Sequence, residues 1–187
     1  MAYAVPRYPM HLIDVVYAAD ATRVVIRPML PQDTGLQRNF FRDLSAESRY
    51  GRFMTHVSAP EVLIESLTAV DYVRHLALLA VVVEDGRDVM IGEARYVVDA
   101  KDASTCELAI AVADAWQARG IGRALLERLQ RQAALSGIRR MAAETLVGNS
   151  RMISLARSAG FAVRASRQDA TLAILEKCLR AERPAAA

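Results

Sequence analysis

The stretch VADAWQARGIGRALLERLQ, from Val112 to Gln130, joins a strand-like run to a glycine-punctuated turn and then to an amphipathic helix. Leu125, Leu126, Leu129 and Ala133 recur at helical spacing, and Gly120 and Gly122 bracket the point where that period begins. The first turn of a helix leaves its N–H groups without intrahelical acceptors, and glycines place no side-chain bulk in front of them. The stretch therefore reads as a cradle for an anion. Glycine also marks purely structural turns, so the pair alone leaves both uses open.

Working outward, Cys106 to Val112 reads as a strand before the loop, Gly137 is placed to end the helix, and Arg139 to Leu146 returns as a strand. A strand, helix, strand unit usually joins parallel neighbours by a right-handed crossover. The rest of the chain predicts antiparallel pairing. LIDVVY from Leu12 and RVVIRP from Arg23 form a hairpin across AADAT, and the runs Leu76–Val83 and Val89–Val98 form a second across EDGRD. Asp33 caps a helix through Leu36, Phe40, Phe41 and Leu44, and a short helix follows from Ser45. Ser58, Pro60 and Glu61 resemble a capping box for a third helix over Val62, Leu63 and Leu67. Asn149 to Ala159 supplies a last helix closed by Gly160, and Ala170 to Cys178 a terminal strand. The expected fold is one α/β domain with a mixed, mostly antiparallel sheet flanked by helices, its parallel pair splayed apart. Residues 1–22 are read as an N-terminal extension with a hairpin strand, 23–178 as the domain, and 179–187 as a disordered tail.

Composition narrows the function classes. With 187 residues and 53% hydrophobic content the chain has material for one core. No apolar stretch approaches the roughly 18 residues of a membrane span, and MAYAVPRYPMH lacks the apolar centre of a signal peptide, so a cytoplasmic protein is expected. The net charge is +3, without a basic run interleaved with aromatics, which argues against nucleic acid as a partner. Cys106 and Cys178 are too few for a disulfide framework, and His11, His56 and His75 show no ligand spacing, so no metal is expected.

The glycine loop is neither a GxGxxG turn followed by an acidic residue about 20 positions on nor a Walker loop ending in GK[ST]. QARGIGR, from Gln117 to Arg123, resembles the QxxGxG/A acetyl-CoA signature of the GNAT superfamily of N-acetyltransferases. NSRMISLARSAGF, from Asn149 to Phe161, is similar to that family's NxxAxxLYxxxGF helix. The resemblance implies that the backbone amides of Gln117, Ala118, Arg119, Gly120, Ile121, Gly122 and Arg123 hold the diphosphate of acetyl-CoA. It implies further that a backbone N–H among Ile110, Ala111 and Val112 stabilises the thioester oxygen, and that Asn149 contacts the pantetheine or the reacting region. Asn149 also suits a helix cap, and both roles can coexist. Where many members carry a tyrosine that protonates the departing sulfur, this chain has Ala156, leaving Tyr50, Tyr72 and Tyr96 as unranked candidates.

Acetyl transfer to an amine needs a neutral nucleophile, yet a lysine amine with a pKa of about 10.4 is protonated at neutral pH. Glu107 is the best-placed carboxylate to take the proton. It lies in CELAIAVAD just before the loop, and strand alternation puts it on one face with Ala109 and Ala111, whose small side chains leave room for substrate. The competing reading is a solvated or ion-paired surface glutamate. Cys106 faces the other side of its strand, against a covalent acetyl-cysteine route.

The segment RPMLPQDTGLQRNFFRDLSAESRYGRFM, Arg27 to Met54, resembles the N-terminal part of bacterial protein lysine acetyltransferases that modify acyl-CoA synthetases. In that subgroup the catalytic glutamate stands at the position of Glu107 and alanine commonly at that of Ala156. The resemblance implies direct transfer from acetyl-CoA to a lysine of a partner such as an acyl-CoA synthetase, and homodimers are frequent in similar proteins. A small amine as acceptor, or an acetyl-CoA sensor without catalysis, stays open.

Overall fold

A computed structural model describes residues 7–54 and 61–180. Among these the strands are β1 (Asp14–Tyr17), β2 (Arg23–Pro28), β3 (His75–Glu84), β4 (Arg87–Val98), β5 (Thr105–Val112), β6 (Arg140–Leu146), β7 (Ala162–Ala165) and β8 (Leu172–Cys178). The helices are α1 (Thr34–Asp43), α2 (Ala46–Phe53), α3 (Glu61–Thr68), α4 (Ile121–Leu135) and α5 (Ser150–Ser158). The strands form one sheet in the order β1-β2-β3-β4-β5-β6-β8-β7, parallel only between β5 and β6 and antiparallel elsewhere.

The unbroken apolar run of β3 has a physical reason, because helices cover both faces of this part of the sheet. Leu76, Leu78, Ala80 and Val82 point into a core shared with Leu125, Leu126 and Leu129 of α4, whereas Ala77, Leu79 and Val81 point into a second core with Phe40 and Phe41 of α1 and Ile64 of α3. Each fully buried leucine contributes about 1.5–3 kcal/mol, which ties α4 to the sheet and fixes where its N-terminus opens. Gly137, at φ +82°, turns the chain out of α4 in the left-handed region that glycine tolerates.

Two expectations need correction. The first strand starts at Asp14, not Leu12, because Met10–Leu12 wind into a 3-10 turn. The sequence reading also missed β7, whose four residues are mostly exposed and carry no apolar period; β7 exists through pairing with β8, from Ala162 opposite Glu176 to Ala165 opposite Ala173. Ser58 and Pro60 of the expected capping box, and residues 181–187 of the expected tail, lie outside the described residues. Leu179 extends the sheet by one bond, its N–H donating to the Arg139 carbonyl.

Candidate functional site

β5 and β6 pair only at Thr105–Glu107 opposite Arg140–Ala142 and then part. Beyond Glu107 the two strands run on to Val112 and Leu146 without bridging, which opens a gap at their C-terminal ends. Ala113 N–H donates to Ile91 O at 2.8 Å on the β4 side. Neighbouring residues of a strand turn their amides to opposite edges, so the N–H groups of Val112 and Ile110 face the gap and that of Ala111 faces β4. Ala111 instead packs its methyl against the core under α1 and α3.

The loop between β5 and α4 alternates handedness, with Ala118 at φ +57° and Gly120 at φ +89°. Such alternation gathers successive amides into a concave nest for an anion. Among the described residues, no protein acceptor takes the N–H groups of Ala118, Arg119, Gly120, Ile121, Gly122 or Arg123, and no side chain caps α4. A side chain on Gly122 would meet Leu155 Cδ2 at 3.3 Å, so the missing Cβ lets α5 lie close to this turn. The amides thus form a cradle that fits the diphosphate of a CoA carrier.

The side chains of the same stretch have other tasks. Ile121 is buried in the core, and Arg119 pairs with Asp20 at 2.7 Å and lies over the Trp116 ring at 5.1 Å. Arg123 stays exposed, 3.9 Å from Glu127 one turn on. Gln117 departs from the sequence expectation, since its own N–H is directed at Asp114 O at 3.3 Å. Its amide side chain donates to Val112 O (3.1 Å) and Ser48 Oγ (3.2 Å) and accepts from Arg151 (2.8 Å). Gln117 is therefore a brace that ties the loop to β5, α2 and α5.

Helix α2 is fastened beside the gap. Ser45 caps it by accepting from Ser48 N–H, and Asp114 accepts from Ser45 N–H (2.9 Å), Ser45 Oγ (2.8 Å) and Ser48 Oγ (2.7 Å). Burial pushes the Asp114 carboxyl up, but these hydrogen bonds outweigh it and hold the group below its usual range. Gly51 lets α2 approach Asn149, whose Nδ2 lies 3.2 Å from where a Cβ would stand. Asn149 Oδ1 accepts from Met152 N–H and caps α5, so the cap role is realised.

Glu107 is exposed on the face of the sheet that α1–α3 partly cover, beside Val97 of β4 and Ala142 of β6, and has no hydrogen-bond or ion-pair partner among the described residues. Sequence reasoning missed the buried charges on the same face of the sheet. Glu93 is fully buried on the same face of β4 and accepts from Gln37 Nε2 (2.9 Å), Arg52 (3.2 Å) and Arg95 (2.5 Å). Burial raises its carboxyl, yet Arg95 and Arg52 outweigh that and keep it below the ordinary value. The signal was present in IGEAR, where an acid and a base two apart share one face of an otherwise apolar strand.

Of the tyrosines, Tyr96 is buried on the opposite face, where burial pushes its phenol up, and Tyr72 donates to Met29 O at 2.9 Å. Tyr50 stands on α2 next to Gly51. Ala156 is fully buried in the core beneath α4. Burial pushes the Cys106 thiol up to about 12, unsuited to a nucleophile. Among the described residues no group of side chains could hold a metal ion, and no helix is long and apolar enough to cross a membrane.

The profile of the acetyltransferase (GNAT) family matches residues 40–161. The chain is 31% identical over 156 residues to Acetyltransferase PA5475 of Pseudomonas aeruginosa, covering 83% of each protein. It is 34% identical over 127 residues to Acetyltransferase Pat of Mycolicibacterium smegmatis, covering 68% of this chain but 38% of that protein. Among solved structures, the GNAT domain of S. lividans PAT superposes with a TM-score of 0.83 at 31% identity, covering 92% of this chain and 100% of that one. The structure of yncA from Salmonella typhimurium, solved with its cofactor acetyl-CoA, shares the fold at a TM-score of 0.68 and 22% identity, covering 88% and 98% of the two chains.

Proposed function

This chain belongs to the acetyltransferase (GNAT) family, and from that premise we propose that it acetylates a lysine of a partner protein, of the acyl-CoA synthetase type, with Glu107 as general base. It is an acyltransferase, and acetyl-CoA supplies the activated acetyl group when bound. The observation that carries the reading is the run of six successive amides, Ala118 to Arg123, with no protein acceptor, at the mouth of the β5–β6 gap.

Those amides hold the diphosphate, and the N–H groups of Ile110 and Val112 lie ready along the gap to polarise the thioester oxygen. Asn149 Nδ2 remains for the pantetheine once Oδ1 has capped α5. Glu107 takes the proton that the acceptor amine loses as its nitrogen bonds the acetyl carbon, the carbon–sulfur bond breaks and CoA leaves as the thiol group. The exposed position of Glu107 suits a lysine presented on a protein surface.

The test is thiol release from acetyl-CoA with a purified acyl-CoA synthetase and a panel of small amines, for the wild type and Glu107→Gln. The expected result is turnover on the synthetase, a loss of about 10²–10⁴-fold in kcat/KM for the variant, and unchanged acetyl-CoA affinity. Full activity of Glu107→Gln would refute the base, turnover on small amines alone would replace the protein acceptor, and tight binding without any turnover would make the chain a sensor.

A further inference from the structure

A cavity of about 370 Å³ lies between the C-terminal half of α4 and the end of β8. It is lined by Glu127, Gln130, Arg131, Lys177, Leu179 and Arg180, among others. Gln130 stands ten residues along α4 from Gly120, about 15 Å at the rise of a helix, so this cavity is separate from the diphosphate cradle. Its lining carries three basic side chains and, among the described residues, one carboxylate, Glu127, which already lies 3.9 Å from Arg123.

Alternation along β8 puts Lys177 on the same face as Leu175, the face that α4 and α5 cover. Its ammonium donates to Gln130 Oε1 and to Ala159 O at the end of α5 (2.6 Å), and it stands 5.9 Å from the centre of the Phe161 ring. Both acceptors are neutral, and an ammonium has three N–H groups, so one donor and the whole charge stay unanswered among the described residues. Burial holds this ammonium below its ordinary value, and Glu127 offsets only part of that. The contact with Lys177 also fixes the Gln130 amide, because the reverse orientation would set two donors face to face. Gln130 Nε2 then has no acceptor, although the residue is only 8% exposed. A buried donor left unpaired costs more than a made hydrogen bond contributes. Two neighbouring donors on one wall, one of them cationic, therefore call for oxygen acceptors that carry negative charge.

We propose that this cavity is a second anion site, which takes a carboxylate or phosphate group on Lys177 Nζ and Gln130 Nε2. Two sources supply that chemistry. One is a free small anion; the other is Glu182 of this chain, which follows Arg180 by two residues, about 7 Å of extended backbone. Either occupant ties α4 to β8 and, through Lys177, to the carbonyl end of α5.

The experiment follows two resonances of the full chain by ¹H–¹⁵N NMR, the Gln130 side-chain amide and the backbone amide of Gly160, whose Cα lies beside Lys177 Nζ. Saturating CoA keeps the cradle filled, and sodium chloride holds the ionic strength constant. For a free anion, inorganic phosphate moves both resonances with half-saturation at about 1–10 mM, the range of two charge-assisted hydrogen bonds, and Glu182→Gln leaves them in place. For the chain's own carboxylate, Glu182→Gln moves both before any phosphate is added. Lys177→Met keeps the apolar stem near Phe161 and weakens the phosphate response at least about tenfold. Gln130→Glu supplies the negative charge from within, so it melts about 2–4 °C higher and its Gly160 resonance no longer responds to phosphate. Resonances that neither phosphate, to about tenfold beyond that range, nor Glu182→Gln can move would overturn the proposal, as would a phosphate response that persists at full strength in both Lys177→Met and Gln130→Glu.

Discussion

Replacing Gly120 by alanine separates backbone strain from steric contact in the anion cradle. Gly120 sits at φ +89°, ψ −10°, and a Cβ there would have no heavy atom within 4 Å. The penalty therefore comes from conformation alone, about 1–2 kcal/mol for an L-residue in the left-handed region. At about 2–4 °C per kcal/mol for a domain of this size, Gly120→Ala should melt about 2–8 °C below wild type. Gly122→Ala provides the contrast. Its Cβ meets the mobile end of Leu155 at 3.3 Å, while alanine improves helix propensity by up to about 1 kcal/mol, so stability should change by less than about 0.5 kcal/mol. Relaxation of residue 120 toward negative φ turns the neighbouring amides out of the nest. Losing one charge-assisted hydrogen bond, about 1.5–3 kcal/mol, weakens acetyl-CoA binding by about tenfold or more. Thermal denaturation followed by circular dichroism and titration calorimetry with acetyl-CoA report the two effects. Unchanged melting and affinity in Gly120→Ala, or a greater loss in Gly122→Ala, would refute this account of the loop.

Two further outcomes follow from burial. In the native protein iodoacetamide should label exposed Cys178 and leave Cys106 unmodified, since the latter is buried with its thiol pushed up to about 12; mass spectrometry of the digest reads the site, and rapid native labelling of Cys106 would contradict the packing of β5. Burial, reinforced by Arg95, holds the His75 ring below its usual value of 6.5. Below that pH the unfolded chain binds a proton that the folded chain refuses, so stability present above pH 6.5 declines as pH falls through the lowered native value. Urea unfolding of His75→Gln, which keeps an acceptor for Arg95, should show a flatter decline across that window; an identical slope would remove His75 as its source.

The elements were legible because their signals are local. The period of Leu125, Leu126 and Leu129 announces α4, and the alternation around Glu107 already gives its face. β7 was illegible for the same reason, since AVRA has no pattern of its own and pairs only because β8 lies alongside. Gln117 was legible as part of a binding signature but not as a brace, because Ser48 and Arg151 are 69 and 34 residues away from it. The Glu93 cluster draws on Gln37, Arg52 and Arg95 from three elements, a convergence that no window of sequence contains.

By itself the sequence determined the strand, glycine turn and helix that create unpaired amides, because dihedral freedom and hydrophobic period are properties of neighbouring residues. Only the tertiary structure decided that β5 and β6 stop pairing after Glu107 and that Glu93, Arg52 and Arg95 gather in one buried cluster. Where pairing ends, and which charges share a desolvated space, depends on contacts between segments far apart in the chain, whose packing no local propensity encodes.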